Sequence, residues 1–493
     1  MKNPILHIVI SCFLVSTGIA QTPTEAYRFS FTEPFGTARN LGTGNSMFAI
    51  GPDFSAIALN PSGIAGYWKS EFVTTLGLSG FDYNSTLSGD PSRSGDGGYN
   101  TLRLSNLGFI VASRSKAKGW TTSNWAIGIN RTADYHQDIQ FRGQTLGSMT
   151  DAWRENAAGL DSSMLNGFEE GLAWKAGAIY DFDGDFQYQT DYMLNSTYPI
   201  YKQENTYIEG GKSELFLGYG ATLDDQLSLG FTINLPLVNS TVTREYQEAD
   251  GADNGIPFFN DLQYTSYVNT TGYGVNAKLG LTVKPSKSFQ VAMAVHTPTK
   301  MFLTDNFNTT LTYDYSDENH SGPLRAESDL GSFQYAMRTP WTLIGGVGFI
   351  AGQSGFISGS IGWTDYGNMR YDYSVRGNGN LYREAERQVN TAIRNTYSSA
   401  IDINAGGELV VRQLRLRGGI SLNQSAFIND SSFDPTFHAG IGYRGDAFYV
   451  DLGYSLRESD EGYLPYKTQD APQPLAVIET TRHRIAATLG LKF

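Results

Sequence analysis

From about residue 67 to its last residue, the chain repeats one pattern: apolar residues alternate with polar or small ones, segment after segment, at period two. Leu227, Leu229, Phe231, Ile233, Leu235 and Leu237 are separated by Ser228, Gly230, Thr232 and Asn234. Phe448, Val450, Leu452, Tyr454 and Leu456 alternate with Tyr449, Asp451, Gly453 and Ser455. Tyr273, Val275, Ala277, Leu279, Leu281 and Val283 alternate with residues that include Asn276, Lys278 and Thr282. Side chains on a strand point alternately to opposite faces, so this pattern specifies half-buried strands rather than helices. No run of about 18 apolar residues occurs anywhere, which excludes helical membrane spans.

Alternation alone does not say which face meets water. The polar set includes Lys278, Asp402, Glu408, Arg415, Arg417 and Asp451, which suits either a soluble barrel or a membrane barrel with a wet lumen. Composition favours the membrane barrel, since a chain of 493 residues with 55 Gly, 29 Tyr, 28 Phe and only 17% charged residues is unlike a long soluble α/β enzyme. The connections favour it too. About fourteen strands are expected, near 69–83, 99–114, 123–135, 212–223, 226–245, 263–284, 287–315, 331–350, 354–376, 395–411, 413–427, 433–444, 447–458 and 479–493. Short links at Asp224-Asp225, Pro285-Ser286, Ala351-Gly352-Gln353, Gln413 and Gly445-Asp446 alternate with long ones at 136–211, 246–262, 316–330, 377–394 and 459–478. Short periplasmic turns and long outer loops are the asymmetry of an outer-membrane barrel. The expected fold class is therefore all-β: a transmembrane antiparallel barrel of about fourteen strands.

Both ends of the chain carry export signals. Residues 1–20 have Lys2 in a basic start, a short apolar stretch from Ile5 to Val15, and small residues Gly18 and Ala20 before a cut that leaves Gln21 first. Cys12 is the only cysteine, so the mature chain has no thiol chemistry; a lipoprotein reading through Cys12 is disfavoured by the short apolar run before it. At the other end, Ile485, Ala487, Leu489, Leu491 and Phe493 form one face of a last strand. A terminal aromatic residue on such a strand resembles the signal read by the outer-membrane assembly machinery, which makes Phe493 the assembly signal. The expected location is the outer membrane of a Gram-negative bacterium, with outer-membrane lipid as surroundings. The net charge of -13 argues against nucleic acid as a partner.

Chemistry-bearing patterns are absent or misleading. Gly440-Ile-Gly442-Tyr-Arg-Gly445 imitates a dinucleotide fingerprint, but it lies inside a strand and a turn, not at the opening of a helix. The mature histidines His136, His296, His320, His438 and His483 are scattered without paired spacing, so no metal site is expected. No nucleophile elbow occurs. No catalytic residue, cofactor or enzymatic activity is expected.

The segment before the strands, residues 21–66, has no strand periodicity. It reads Phe35-Gly-Thr-Ala-Arg39-Asn-Leu-Gly42-Thr-Gly44-Asn-Ser-Met-Phe-Ala-Ile-Gly51-Pro-Asp53-Phe-Ser55-Ala-Ile-Ala-Leu59-Asn60-Pro61-Ser62-Gly63-Ile64. Glycines permit tight turns, and an Asn-Pro step ends a local element while its Asn side chain bonds nearby backbone. In order and spacing this resembles the hatch of the long-chain fatty-acid transporter (FadL-like) family, with Gly42, Gly44, Asp53, Asn60, Pro61 and Ser62 at the matching positions. Where that family has Asn-Pro-Ala, this chain has Asn60-Pro61-Ser62.

The resemblance implies a plug in the lumen of the barrel (residues 67–493). It also implies passive uptake of hydrophobic compounds, such as long-chain fatty acids or aromatic hydrocarbons, with hydrophobic small molecules or lipids as partners. In that family the third strand is kinked inward and opens the wall to lipid. Here Trp125, Ile127 and Ile129 set a lipid face on which strict alternation would also put Arg131. Either Arg131 snorkels to headgroups, or the strand bulges between Gly128 and Arg131 and turns Arg131 inward. Gly128, Ile129, Asn130 and Arg131 are accordingly the candidate lateral opening. In the largest loop, 136–211, residues 150–172 have helical character, and Trp153, Leu160, Met164, Leu165 and Phe168 form a candidate hydrophobic mouth. The alternative is a general porin, or a structural or surface-binding barrel, whose N-terminal segment merely plugs it.

Overall fold

The alternation seen in the sequence becomes one closed antiparallel sheet. The computed structural model describes residues 21–33, 35–115, 117–251, 255–375 and 382–493; the targeting segment 1–20, with Cys12, lies outside the described residues. The sheet is built from β1 (Glu71–Leu87), β2 (Asp90–Val111), β3 (Trp120–Asp134), β4 (Gln137–Thr145), β5 (Ile200–Leu223), β6 (Leu227–Ala249), β7 (Phe259–Val283), β8 (Phe289–His296), β9 (Lys300–Ser316), β10 (Ser321–Glu327), β11 (Gly331–Arg338), β12 (Thr342–Ile350), β13 (Gly355–Asp365), β14 (Arg370–Asp372), β15 (Ser399–Val411), β16 (Leu414–Gln424), β17 (Phe433–Arg444), β18 (Phe448–Tyr463) and β19 (Ala476–Lys492). Interrupted strands run on into one another, β3 into β4, β8 into β9, β10 through β11 into β12, and β13 into β14. The barrel therefore has fourteen staves. It closes where β1 pairs with β19, from Glu71↔Lys492 to Leu87↔Ala476.

The burial pattern decides which face is which. Along β6, Leu229, Phe231, Ile233, Leu235 and Leu237 are exposed on the outside, whereas Ser228, Thr232 and Asn234 are buried inside. The same inversion holds at Ile357 and Ile361 on β13 and at Leu452 on β18, with Ser358, Ser360 and Asp451 facing in. An apolar belt thus encircles a polar lumen, the reverse of a soluble barrel.

Several staves are taller than the belt. β5, β6 and β7 have 24, 23 and 25 residues, about twice the ~10 needed to cross a bilayer. The loop expected at 136–211 is accordingly shorter. Residues 137–145 and 200–211 are strand, and only 146–199 departs from the wall. The helical character expected over 150–172 is realised in pieces: α3 (Met149–Ala157), a 3-10 turn (Ser162–Met164) and α4 (Glu170–Lys175). Ser148 caps α3 in a reciprocal box with Asp151. Glu248, high on β6, accepts from Ser148 Oγ (2.5 Å) and Met149 N (2.8 Å), which docks this insertion onto the wall. The expected loop at 377–394 holds a helix, Arg383–Thr396, with Val389 and Ile393 buried against the barrel.

Inside the wall lies the segment 21–67. Helix α1 (Pro23–Ser30) starts on Thr22, whose hydroxyl accepts from Glu25 N, with Pro23 at its first position. A second short helix, α2 (Ala38–Gly42), follows, and then 3-10 turns at Ala56–Ala58 and Pro61–Gly66.

Candidate functional site

The inner segment is fastened to the lumen through groups that the sequence singled out. Asp53 is buried and accepts from Thr37 Oγ1 (2.8 Å), Ser55 N (3.0 Å) and Ser55 Oγ (2.7 Å), tying its two halves together. Asn60 donates to Phe48 O (3.0 Å) and Thr282 Oγ1 (3.2 Å) of the wall. Its Oδ1 accepts from Ser62 N and Ser62 Oγ, capping the turn that Pro61 begins. Gly44 has φ +67°, and a Cβ there would stand 2.8 Å from Ile420 N of the wall. Gly42 lies against Gly440, so the false dinucleotide motif is a seat for this segment.

Arg39 supplies the bolt. Its Nε and Nη2 each donate to the Glu408 carboxylate at 3.0 Å. Glu408 also binds Arg417 Nε (2.7 Å), and Arg417 reaches Asp451, which binds Arg444. Inward charges on this wall are therefore paired in a network, as burial demands.

Among the described residues, the wall is broken between β2 and β3. β2 and β3 are paired from Val111↔Trp125 to Asn106↔Asn130, and there the ladder stops. Above it, β2 continues as far as Asp90 paired to β1, with a register shift that leaves Ser105 bulged. The strands approach again near Gly95 and Gln140, where Ser85 Oγ bonds Gln140 O. Side chains rather than backbone bridge the interval. Asp134 binds His136 Nδ1 (2.7 Å), Arg131 Nη2 (3.1 Å) and Arg103 Nε (3.6 Å), and Arg103 also contacts His136. The side chains of Asn106 and Asn130 are buried with no hydrogen-bond partner among the described residues.

This differs from the expected opening at 128–131. Gly128, Ile129 and Asn130 remain paired to Gly108, Leu107 and Asn106, and the bulge falls between Arg131 and Ala133 on the β5 side. Gly128 is small for another reason. The ring of Phe54 lies over Gly108 and Gly128, and a Cβ on either would meet it at 1.8 or 2.5 Å. Arg131 does not snorkel; it is tied to Asp134 and to Gly210 O (2.8 Å). Ile129 stays on the outer face, and Leu102 flanks the seam there, 69% exposed.

Two cavities meet at α1. The inner one, about 190 Å³, is lined by Asn130, Arg131 and Thr132 behind the seam, by Phe31, Phe35 and Phe48 of the inner segment, and by polar wall residues. The outer one, about 330 Å³, lies between α1 and α3 and is walled by Phe141, Trp153, Phe168, Tyr264 and Phe307. Residues within 21–28 border the outer cavity, and Ser30, Phe31, Thr32, Glu33, Phe35 and Gly36 the inner one, so α1 is the partition. Of the expected mouth residues, Trp153 and Phe168 line the outer cavity. Leu160 and Leu165 are half-buried in the loop away from it, and Met164 is exposed on the loop surface. Helical spacing could not foresee this, because α3 ends at Ala157 and the chain turns there. Phe493 is outside and exposed at the foot of the barrel, its N–H bonded to Ser70 O (3.0 Å) and its ring 5.5 Å from that of Phe109.

Among the described residues, no helix is long and apolar enough to cross a membrane, and no group of three or more His, Cys, Asp or Glu could hold a metal. No family model and no curated protein matches the chain. Among solved structures it is similar to a FadL homologue of Pseudomonas aeruginosa, with 14% identity, a TM-score of 0.58, and 94% of this chain and 100% of that chain covered. It is also similar to the Pseudomonas putida toluene transporter TodX, with 12% identity, a TM-score of 0.54, and 94% and 99% covered. The chain has the FadL-like fold: a closed fourteen-stave antiparallel barrel with helices at its N-terminal end.

Proposed function

We propose that this protein is an outer-membrane channel for passive entry of hydrophobic molecules, in which residues 21–66 form the hatch and the seam between β2 and β3 is the exit toward lipid. The observation that carries this reading is the ladder that stops at Asn106↔Asn130 with the inner cavity directly behind it. A wall that needs only to be closed gains from continuing the ladder, since unpaired strand edges facing hydrocarbon are costly. Here side chains of Arg103, Arg131, Asp134 and His136 bridge the interval, and side chains move aside more readily than backbone ladders.

Each part has a role in that reading. The aromatic outer cavity captures the solute, and its volume falls within the ~300–1,000 Å³ of small-molecule sites. Displacement of α1 joins it to the inner cavity. The Arg39–Glu408 bolt and the Asn60 cap hold the rest of the hatch, so the axial route stays shut while the lateral one is used. The two similar structures, a FadL homologue and a toluene transporter, agree with an apolar solute.

The test closes the seam covalently. The mature chain has no cysteine, so Arg103→Cys/Asp134→Cys can be bridged by a short bifunctional thiol reagent without background. Uptake of a labelled hydrocarbon by cells should fall to the level of cells lacking the protein after bridging, while each single variant with the same reagent keeps uptake. Full uptake through the bridged barrel would refute a lateral exit.

A further inference from the structure

Three cations stand in one row on the outer wall. Lys300 of β9 is directly opposite Arg338 of β11, and Arg338 is directly opposite Arg370 of β14. The adjacent residues Met301, Met337 and Tyr371 are buried in one cluster with Ala26 and Phe29 of α1, inside the barrel. Alternation therefore turns the three cations outward, where all are exposed. Among the described residues, Lys300 rests its ammonium over the Phe302 ring (5.3 Å), and none of the three side chains has a hydrogen bond or an ion pair. Asp372, two residues on from Arg370 and on the same face, accepts from Ser374 N and Ser374 Oγ instead.

The neighbours of the row fix its height. Away from the short periplasmic turn at 351–353, the outer faces of β12 and β13 run up the apolar belt to the exposed Trp341 and Trp363, and the chain reaches Arg338 and Arg370 beyond them. Val275, opposite Lys300, is exposed and apolar, and one step further out come the rings of Tyr273 and Phe302, 5.6 Å apart. Aromatic side chains on both sides of the row mark the interfacial girdle of a membrane barrel. The row is thus at headgroup depth in the outer leaflet. Like charges directly opposite on neighbouring strands repel, and more strongly beside an apolar surface than in bulk water. A chain of net charge -13 gathers three cations here with no carboxylate bonded to them, which leaves an anion to come from outside. Two strand spacings make the row about 10 Å long. A phosphomonoester brings nearly two negative charges and three acceptor oxygens, and the guanidinium fork matches it. Depth selects the source. A lipid sets its phosphate at this level and its acyl chains along Val275, Trp341 and Trp363, whereas a free phosphate gains nothing from those apolar neighbours.

We infer that Lys300, Arg338 and Arg370 form a binding site for the phosphorylated headgroup of an outer-leaflet lipid. The inference rests on the outer-membrane reading above and not on the route of the solute. The row lies on the far side of the barrel from the seam between β2 and β3, so a lipid held there leaves the exit clear. Each basic residue at an anionic lipid surface is worth about fivefold in affinity, and the three together roughly 100-fold.

The experiment titrates the full barrel in maltoside detergent and counts bound lipid by native mass spectrometry. The probes are diphosphorylated lipid A, the same lipid with both phosphates removed, and inorganic phosphate in large excess as a competitor. Lipid A should bind at least about tenfold tighter than its dephosphorylated form, and inorganic phosphate should not displace it. Lys300→Gln, Arg338→Gln and Arg370→Gln should each weaken lipid A about fivefold, and the triple variant roughly 100-fold. Arg325→Gln, which removes an exposed cation already paired with Glu327 (3.7 Å), should bind as the wild type does. Heat-dependent gel mobility confirms that each variant is a folded barrel. Equal binding of the two lipids, or undiminished binding of lipid A by the triple variant, overturns the inference. Displacement of lipid A by inorganic phosphate overturns it in favour of a soluble anion. The channel reading is tested separately by the bridged seam and stands apart from each of these results.

Discussion

Replacing Arg39 by Gln tests how firmly the hatch is held, because it removes the bolt from the hatch side and leaves the wall intact. Arg39 makes two bonds of 3.0 Å to Glu408. The side chains are 18% and 5% exposed, so the pair is largely desolvated. Charge-assisted bonds of this kind contribute about 1.5–3 kcal/mol each. Two on one carboxylate are less than additive, and Glu408 keeps Arg417 at 2.7 Å. The net loss is therefore about 2–4 kcal/mol. Taking ~3 kcal/mol, the ratio of seated to unseated hatch falls roughly 150-fold at about 1.36 kcal/mol per tenfold. The barrel closes through β1 and β19 without Arg39, so heat-dependent gel mobility should be unchanged. In planar bilayers, large-conductance openings should become frequent. Glu408→Gln should have a similar effect, and the double variant should be no worse than the stronger single one, the mark of coupled groups. Conductance traces of Arg39→Gln that match the wild type would refute the claim that this pair seats the hatch.

Two further outcomes are expected. Gly128→Val places carbon against the Phe54 ring, where even a Cβ would stand at 2.5 Å; it should unseat the hatch and raise conductance, and adding Phe54→Ala should reverse the rise, whereas a rise that survives Phe54→Ala would point to the strand itself. The docking of loop 146–199 should weaken as pH rises. Burial, with Glu170 beside it, lifts the Glu169 carboxyl to about 7, and burial, despite Arg154 nearby, lifts that of Asp151 to about 6. A carboxyl whose folded pKa is raised keeps its proton in the docked state after the undocked state has lost it. Docking is therefore strongest near the ordinary carboxylate range and falls until pH passes the raised values, near 6 to 7. Limited proteolysis of the loop should be faster at pH 8 than at pH 5, and Glu169→Gln should remove most of that difference; equal rates in the wild type would refute it.

The alternation of Leu227 to Leu237 and its counterparts determined that the chain is built of half-buried strands, and composition and the alternation of short and long connections pointed to a membrane barrel. Period two states which residues share a face, and the terminal pattern to Phe493 and the short turn at Asp224-Asp225 set the strand count and direction. Turn chemistry is local, and Asp224 and Asp225 both adopt positive φ in the hairpin that this dipeptide marked. Of the residues that the resemblance singled out in the inner segment, Asp53, Asn60 and Ser62 bond mainly to groups of that same segment, contacts that lie close along the chain.

Long-range meetings decided the rest. Gly128 was expected within a lateral opening because nothing in the sequence says that Phe54 will cross the lumen to rest on it. Arg103, Asp134 and His136 gave no pattern, since they come together only where β2 leaves β3, and a missing ladder has no local code. Residues 137–145 and 200–211 read as loop because, above the belt, their faces are polar or packed under the insertion, so they carry no lipid-facing alternation; they are strand.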